Sequence, residues 1–506
     1  MTTLNDADLE FAKSHIERFY DSDFFPKHFE FEALWRYWPE VKQELGSKNI
    51  PKLQALQPRS ATIPKARGGF RVVHQLEPLE AICYTAMAHR VSQAVESNRP
   101  SKRKRVACSY RIKIENGSFF AHGSGWRDFS ERSAQLATAH KHVVTTDVTD
   151  FYNQIYLHRL QNSIETCDTN LASFSKEVES FITAFNDKTS QGVPVGPAAS
   201  MIFAEALMID IDAFISQCGV KHTRYVDDIR MFGNSSAKLS AALEALTKYL
   251  YRSHRLTLAT EKTEQMSSDE FVEKFLENKY ESDREDLKES LDQFSPYGDP
   301  DPDELEDDEE VDQEDDHLQN ALNQILGYGT LDLGLARSLL RTARRHRYTD
   351  FAEEIIGNFD FFAPVCPDVF LYLIEAGDSE LEKSLYAGLN SAVSSTAAQC
   401  DLVRYWLEHY IAQSPTLLRS APLKRFVMAS PSFENVALAA RTSNNVSWVR
   451  MNKARVSNLG GKARRALMDA SRVLSADERT NWLRVVANNA QSPLDKWVAN
   501  WVRETS

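Results

Sequence analysis

Residues 222–233 read HTRYVDDIRMFG, two short runs of strand-forming residues that meet at Val226-Asp227 and carry two adjacent carboxylates, Asp227 and Asp228. β-branched and aromatic residues on either side of a two-residue break predict a β-hairpin. Adjacent acids at its tip repel one another and call for a cation. Eighty residues before Asp227, the stretch KHVVTTDVTDFYNQIYLHRL (141–160) runs through β-branched residues into Asp147, placing a third carboxylate at a strand's end. A lone Asp of this kind is a cap or turn residue, and a lone Asp-Asp pair is a common surface feature. Together they are the set that two divalent ions about 4 Å apart would need as bridging ligands.

Working outward, the 506 residues are enough for two or three cores. The longest apolar runs are interrupted by acids and fall short of the roughly 20 residues of a membrane helix. The start, MTTLNDADLEFAKSH, has neither the basic end nor the apolar core of a secretory signal, so a cytoplasmic protein without membrane partners is expected. Six cysteines, Cys83, Cys108, Cys167, Cys218, Cys366 and Cys400, form no C-x-x-C pair, which argues for plain thiols over structural zinc. The net charge of -13 is local: DPDPDELEDDEEVDQEDD (299–316) holds 13 acids and no base, leaving the rest of the chain near neutrality.

Residues 1–60 are read as an N-terminal helical element, 61–265 as a region where strand runs (FRVVHQL, HVVTTDV, HTRYV, IRMFG) alternate with helical ones, and 266–298 as a helical connector. The tract 299–316 is read as an acidic linker, because so little apolar area cannot offset ordering entropy; a nucleic-acid mimic that shields a basic groove is the alternative. Residues 317–506 lack strand signals and consist of helical segments of about 12–18 residues, as in stacked repeats or a plain bundle. The fold class is thus α+β followed by an all-α HEAT-like domain.

Three further stretches carry chemistry. SQGVPVGPAASMIFAEALM (190–208) is a glycine- and proline-rich loop opening into a helix, with free N–H groups at the helix start. IPKARGGFRVVHQL (63–76) brings Lys65 and Arg71 to one face of a hairpin reversed at Gly68-Gly69, and LTLATEKTEQM (256–266) presents Lys262. In this order the motifs resemble the reverse-transcriptase family, whose palm carries an Asp motif, a Gln-Gly-Pro motif and a Tyr-x-Asp-Asp hairpin.

The resemblance covers roughly residues 60–265 and implies a right-hand polymerase with fingers and palm. In it Asp147, Val148, Asp227 and Asp228 hold two Mg2+ ions, with Mn2+ as an alternative. Asp147, Asp227, Asp228 and Lys262 are catalytic, Lys262 as a general acid near the leaving pyrophosphate. Lys65, Arg71, Val148, Tyr152, Gln191 and Gly192 contact the incoming nucleotide. Tyr152, five residues after Asp147, matches the ring that excludes a 2'-hydroxyl, so dNTPs are the expected substrate. In NRPSKRKRVACSYRIK (98–113), Lys102, Arg103, Lys104, Arg105 and Arg111, together with Arg99, are expected on the nucleic-acid backbone. A second basic set, Arg450, Lys453, Arg455, Lys462, Arg464 and Arg465, is either a guiding face or an ordinary helix surface.

Phe151, Tyr152, Ile155, Tyr156 and His158 after the catalytic Asp look like the bacterial abortive-infection and defence-associated reverse transcriptases, although Asp150 differs from the small polar residue expected there. That likeness implies an RNA-directed or template-independent DNA polymerase in antiphage defence, working as a homo-oligomer on an RNA template or partner noncoding RNA and a DNA product. A retron-like enzyme copying its own RNA, and a catalytically idle RNA-binding scaffold, are the competing readings.

Overall fold

The computed structural model describes residues 2–20, 24–53, 55–121, 123, 125–186, 188–276 and 311–505, with side chains in the last stretch from Leu318 onward. The chain forms two compact units, each assembled from several stretches. The first takes Met1–Asp23, Lys42–Arg59 and His74–Leu305; the second takes Phe24–Val41, Ser60–Val73 and Glu306–Ser506.

Eight strands are described. β1 (Arg59–Pro64) and β2 (Phe70–Gln75) pair as a hairpin, as do β3 (Ile112–Glu115) and β4 (Ser118–Phe120). β5 (His142–Asp147), β6 (Lys221–Tyr225), β7 (Asp228–Gly233) and β8 (Glu264–Ser267) make an antiparallel sheet in the order β6-β7-β5-β8. All four stretches read from the sequence as strand runs are strands. In β5 the Val-Val-Thr-Thr run is buried along its length, since β5 is interior to the sheet and helix Ser236–Tyr249 packs across it.

Behind the sheet, helix Ala198–Gln217 packs against the long helix Pro78–Asn98 and against helix Leu157–Cys167. Its buried residues Ile202, Phe203, Leu207, Met208 and Ile211 form the core there. After β8, helix Ser268–Phe275 starts at a capping box in which the Ser267 hydroxyl takes the Glu270 N–H and the Glu270 carboxylate takes the Ser267 N–H.

Among its described residues the second unit is helical outside the β1–β2 hairpin. The stretch 30–47 holds two helices, Glu30–Arg36 and Trp38–Ser47; Pro39 cannot continue a helix begun upstream but fits a first turn. Helix Glu30–Arg36 is anchored by ion pairing of Glu30 with Arg465 at 2.8 Å, and Trp406 Nε1 donates to the Phe24 carbonyl at 2.7 Å. Helix Val311–Gly327 begins inside the stretch read as an acidic linker, whose part 299–310 lies outside the described residues. No helix among the described residues is long and apolar enough to cross a membrane. All six cysteines are unbonded.

Candidate active site

Antiparallel register places Asp147, the last residue of β5, directly opposite Asp228, the first of β7. The β6–β7 turn is Val226-Asp227, closed by the Tyr225–Asp228 pair. Three carboxylates from positions 80 residues apart therefore meet at one end of the sheet. Asp147 is 9% exposed, and Asp227 and Asp228 are half-buried.

Their electrostatics record the crowding. Burial, then the charge of Asp147, pushes the Asp227 carboxyl up to about 7. Burial also raises Asp228, with the Asp147 charge adding to it while Arg230 and Lys262 offset part of the rise. The Lys262 ammonium lies directly against Asp147. Burial alone would lower that ammonium, but its contact with Asp147 and the charges of Asp227 and Asp228 carry it above its usual value. Among the described residues no three His, Cys, Asp or Glu side chains stand already gathered at ligating distances. The donor chemistry nonetheless suits a hard divalent cation: three acids at one sheet end, two of them raised by burial and, after it, by the charge of Asp147.

The segment that carries Lys262 is zipped to the Asp strand. Ala259 N–H donates to the Asp147 carbonyl at 2.8 Å, Thr149 N–H to the Thr257 carbonyl at 2.9 Å, and Val148 bridges Leu258. Val148 is buried.

On the other side, the Gln-Gly loop docks on the turn after Asp147. Val193 N–H donates to the Tyr152 carbonyl at 2.9 Å, Gly192 N–H to the Ile155 carbonyl at 2.8 Å, and Gln191 bridges Tyr156. Gln191 Nε2 donates to Gln154 Oε1 at 2.7 Å. Gly192 has φ 91° and a Cβ there would lie 3.2 Å from the Asn153 carbonyl oxygen, so the close docking requires glycine. Burial, then the charge of Asp227, holds the Tyr152 phenol well above its usual value. Tyr152 thus stays neutral within electrostatic reach of the carboxylates. His74 and Asn186, which the sequence reading passed over, fix this loop. His74 N–H donates to the Val195 carbonyl at 2.8 Å and its ring accepts from Val195 N–H at 3.1 Å; Asn186 Nδ2 donates to the Gly192 carbonyl at 2.7 Å.

Residues 63–292 match the family described as reverse transcriptase (RNA-dependent DNA polymerase). The chain carries a reverse-transcriptase domain. The enzyme class is that of an RNA-directed DNA polymerase, a nucleotidyltransferase. All three carboxylates, the Gln-Gly loop and Lys262 fall inside the matched domain. No curated protein matches the chain. Similar solved structures include telomerase from Candida albicans in complex with a fragment of telomeric RNA, at 13% identity over 74% of this chain and 70% of that one, TM-score 0.33. Apo telomerase from Candida tropicalis is similar at 12% identity over 74% of each chain, TM-score 0.34.

The other residues singled out from the reverse-transcriptase motifs are placed as follows. Lys65 and Arg71 lie on the β1–β2 hairpin, in the stretch that belongs to the second unit; Gly68 and Gly69 turn it at φ 90° and 76°, and Lys65 N–H donates to the Gly69 carbonyl at 3.0 Å. Lys102, Arg103 and Lys104 are exposed on a single helical turn. Arg105 pairs with Asp128 at 3.1 Å and Glu131 at 2.9 Å. Arg99 and Arg111, expected on the nucleic-acid backbone, point inward. Arg111 pairs with Glu96 and donates to the Pro100 carbonyl at 2.9 Å, while Arg99 is buried against Glu205 and Glu96. Guanidinium groups with this many fixed partners are committed to the fold.

Most of the second basic set is likewise engaged from within the fold. Arg450 and Lys453 share Glu478, Arg455 donates to Asn452 Oδ1, and the buried Arg464 and Arg465 hold Asp495 and Glu30. Arg464 and Arg465 thus serve the fold's interior, which takes them out of a guiding face.

Proposed function

We propose that Asp147, Asp227 and Asp228 hold a pair of divalent cations, Mg2+ or Mn2+, and that the domain uses them to join dNTPs to a 3'-hydroxyl. The observation that carries this reading is the register pairing of Asp147 with Asp228 beside a turn that carries Asp227, together with the upward push on Asp227 from burial and Asp147. Beyond what Lys262 offsets, a divalent cation would relieve that repulsion and leave all three acids ionised. Bound there, such ions would supply activation of the attacking hydroxyl and neutralisation of the leaving pyrophosphate. Val148 would support the metal and nucleotide sites from the strand end.

The chain's own groups do the rest in this reading. Lys262, kept protonated by the acids around it, brings positive charge and a proton toward the leaving group. Tyr152 packs under the sugar and rejects a 2'-hydroxyl, supported by its burial and by the zipping of its backbone to Val193. Gln191 and Gly192 line the nucleotide, Lys65 and Arg71 take its triphosphate, and exposed Lys102, Arg103 and Lys104, with Arg105, meet the nucleic-acid backbone. An RNA template or partner noncoding RNA, a DNA product, a cytoplasmic homo-oligomer and a role in antiphage defence complete the reading, supported by the Phe151, Tyr152, Ile155, Tyr156 and His158 pattern. The helical region 317–506 is read as a HEAT-like stack that guides product.

Incorporation of labelled dNTPs on a primed RNA by the purified full-length protein tests this. Asp227→Asn and Asp228→Asn should each lower the rate about 10^3-fold, roughly 4 kcal/mol of barrier; undiminished incorporation by either variant would refute the assignment.

A further inference from the structure

Val226 sits at the tip of the β6–β7 hairpin with φ 55°. For a β-branched residue this is a sterically disfavoured conformation, and left alone Val returns to negative φ. Both polar groups of its backbone are clamped. The Val226 N–H donates to Ser109 Oγ at 2.9 Å, and the Val226 carbonyl accepts from Arg224 Nη1 at 3.2 Å.

Each clamp is rooted in a buried charge network. The Ser109 hydroxyl donates to Glu205 Oε1 at 3.1 Å. Arg224, fully buried, donates through Nε to Asp212 at 2.9 Å and through Nη2 to Glu205 at 2.8 Å. Arg99 pairs with Glu205 at 3.0 Å and donates to the Ser109 carbonyl at 2.7 Å, and His222 stands 3.3 Å from Asp212. Glu205 and Asp212 lie seven residues apart, on one face of helix Ala198–Gln217. Burial alone would raise both acids, but Arg224 outweighs it, with Arg99 helping at Glu205 and His222 at Asp212; Asp212 is held at about 2. Apolar residues of the same volume would serve stability as well as this network, whose fixed geometry is what they could not supply.

Resting on the metal reading above, we propose that Ser109 and Arg224 are positioning residues for the metal-binding acids and act through Val226. The dihedral they impose at Val226 sets the direction in which the next residue, Asp227, leaves the turn toward Asp147. Release of the clamp lets the turn relax and disperses the carboxylates, so divalent affinity falls while the sheet stays formed.

The test is Mn2+ affinity of the full-length protein, from the electron paramagnetic resonance signal of free Mn2+, with glycine used to remove the strain. Ser109→Ala should weaken Mn2+ binding about tenfold. In the Val226→Gly background, where positive φ needs no clamp, adding Ser109→Ala should change affinity less than twofold. Ser109→Cys, which fills the same space with a weak acceptor, should weaken binding in the same direction and serves if Ser109→Ala does not fold. Unchanged affinity in Ser109→Ala or Ser109→Cys would overturn the proposal, as would a tenfold loss that persists undiminished beside Val226→Gly. Failure of the unaltered protein to bind Mn2+ would instead overturn the metal reading itself, and this inference with it.

Discussion

In the proposed reading, the single side chain of Tyr152 sets substrate choice. Its backbone is held by the turn that follows Asp147 and by the Val193 N–H on its carbonyl, which fixes where the ring is rooted. Replacing it with a smaller residue opens space where a 2'-hydroxyl would sit. Tyr152→Val is predicted to raise ribonucleotide use relative to deoxynucleotide use by roughly tenfold to a hundredfold, the range that 1–3 kcal/mol of steric clash represents. Competition between labelled rNTP and dNTP on one template measures it, and an unchanged ratio would assign the discrimination elsewhere. Gly192 faces a related constraint: Gly192→Ala puts a Cβ against the Asn153 carbonyl at φ 91°, and incorporation at limiting dNTP should fall before thermal stability does.

At the scale of elements, the helix Asp6–Phe19 buries His15 completely, with its ring Nδ1 2.8 Å from the Gly117 carbonyl. Burial pushes the imidazole down to about 4, below the 6.5 of the unfolded chain. Between these values the unfolded chain binds a proton that the folded one refuses. Stability contributed by neutral His15 is therefore complete above pH 6.5 and is lost as pH falls toward 4, by roughly 3 kcal/mol at the low end. The thermal midpoint should drop through that window, and His15→Phe should flatten the drop; an identical slope in the variant would contradict the assignment.

The same scale shows what the sequence made readable. Strand runs ending in Asp147 and flanking Asp227-Asp228 were legible because alternation and β-branching act over a few neighbouring residues. The Gln-Gly loop was legible because glycine marks close backbone approach. The Arg224 network was not, since its members come from segments up to 125 residues apart, although Glu205, Asp210 and Asp212 in a largely apolar helix were a signal. Arg99 and Arg111 were misplaced for the same reason: basic residues in a row suggest a phosphate surface until Glu96 and Glu205 are seen to claim them.

For the whole molecule, the division into units does not follow a single cut in the chain. The second unit draws on Phe24–Val41 and Ser60–Val73 as well as the C-terminal helices, whereas the sequence reading drew its boundaries in linear order. Ending the chain at Leu305 would strip Glu30 of Arg465 and the Phe24 carbonyl of Trp406. Glu30 would keep only His28, 3.7 Å away, as a partner, and a buried carboxylate that loses its guanidinium is destabilising. Phe25, Phe31 and Leu34, each at most 1% exposed, would lose helical partners as well. The truncated protein is predicted to bind a hydrophobic dye and melt well below the full chain; a cooperative transition at the unaltered temperature would contradict the shared packing.

Anomalous diffraction from crystals grown with Mn2+, a primed template and a non-hydrolysable dNTP decides whether the trio of acids holds a pair of metal ions. Two anomalous peaks roughly 4 Å apart are expected, within bonding distance of Asp147 and the Asp227-Asp228 turn, with Lys262 moved off Asp147. Peaks elsewhere on the protein, or none in crystals whose dissolved enzyme still extends primers, would contradict that placement.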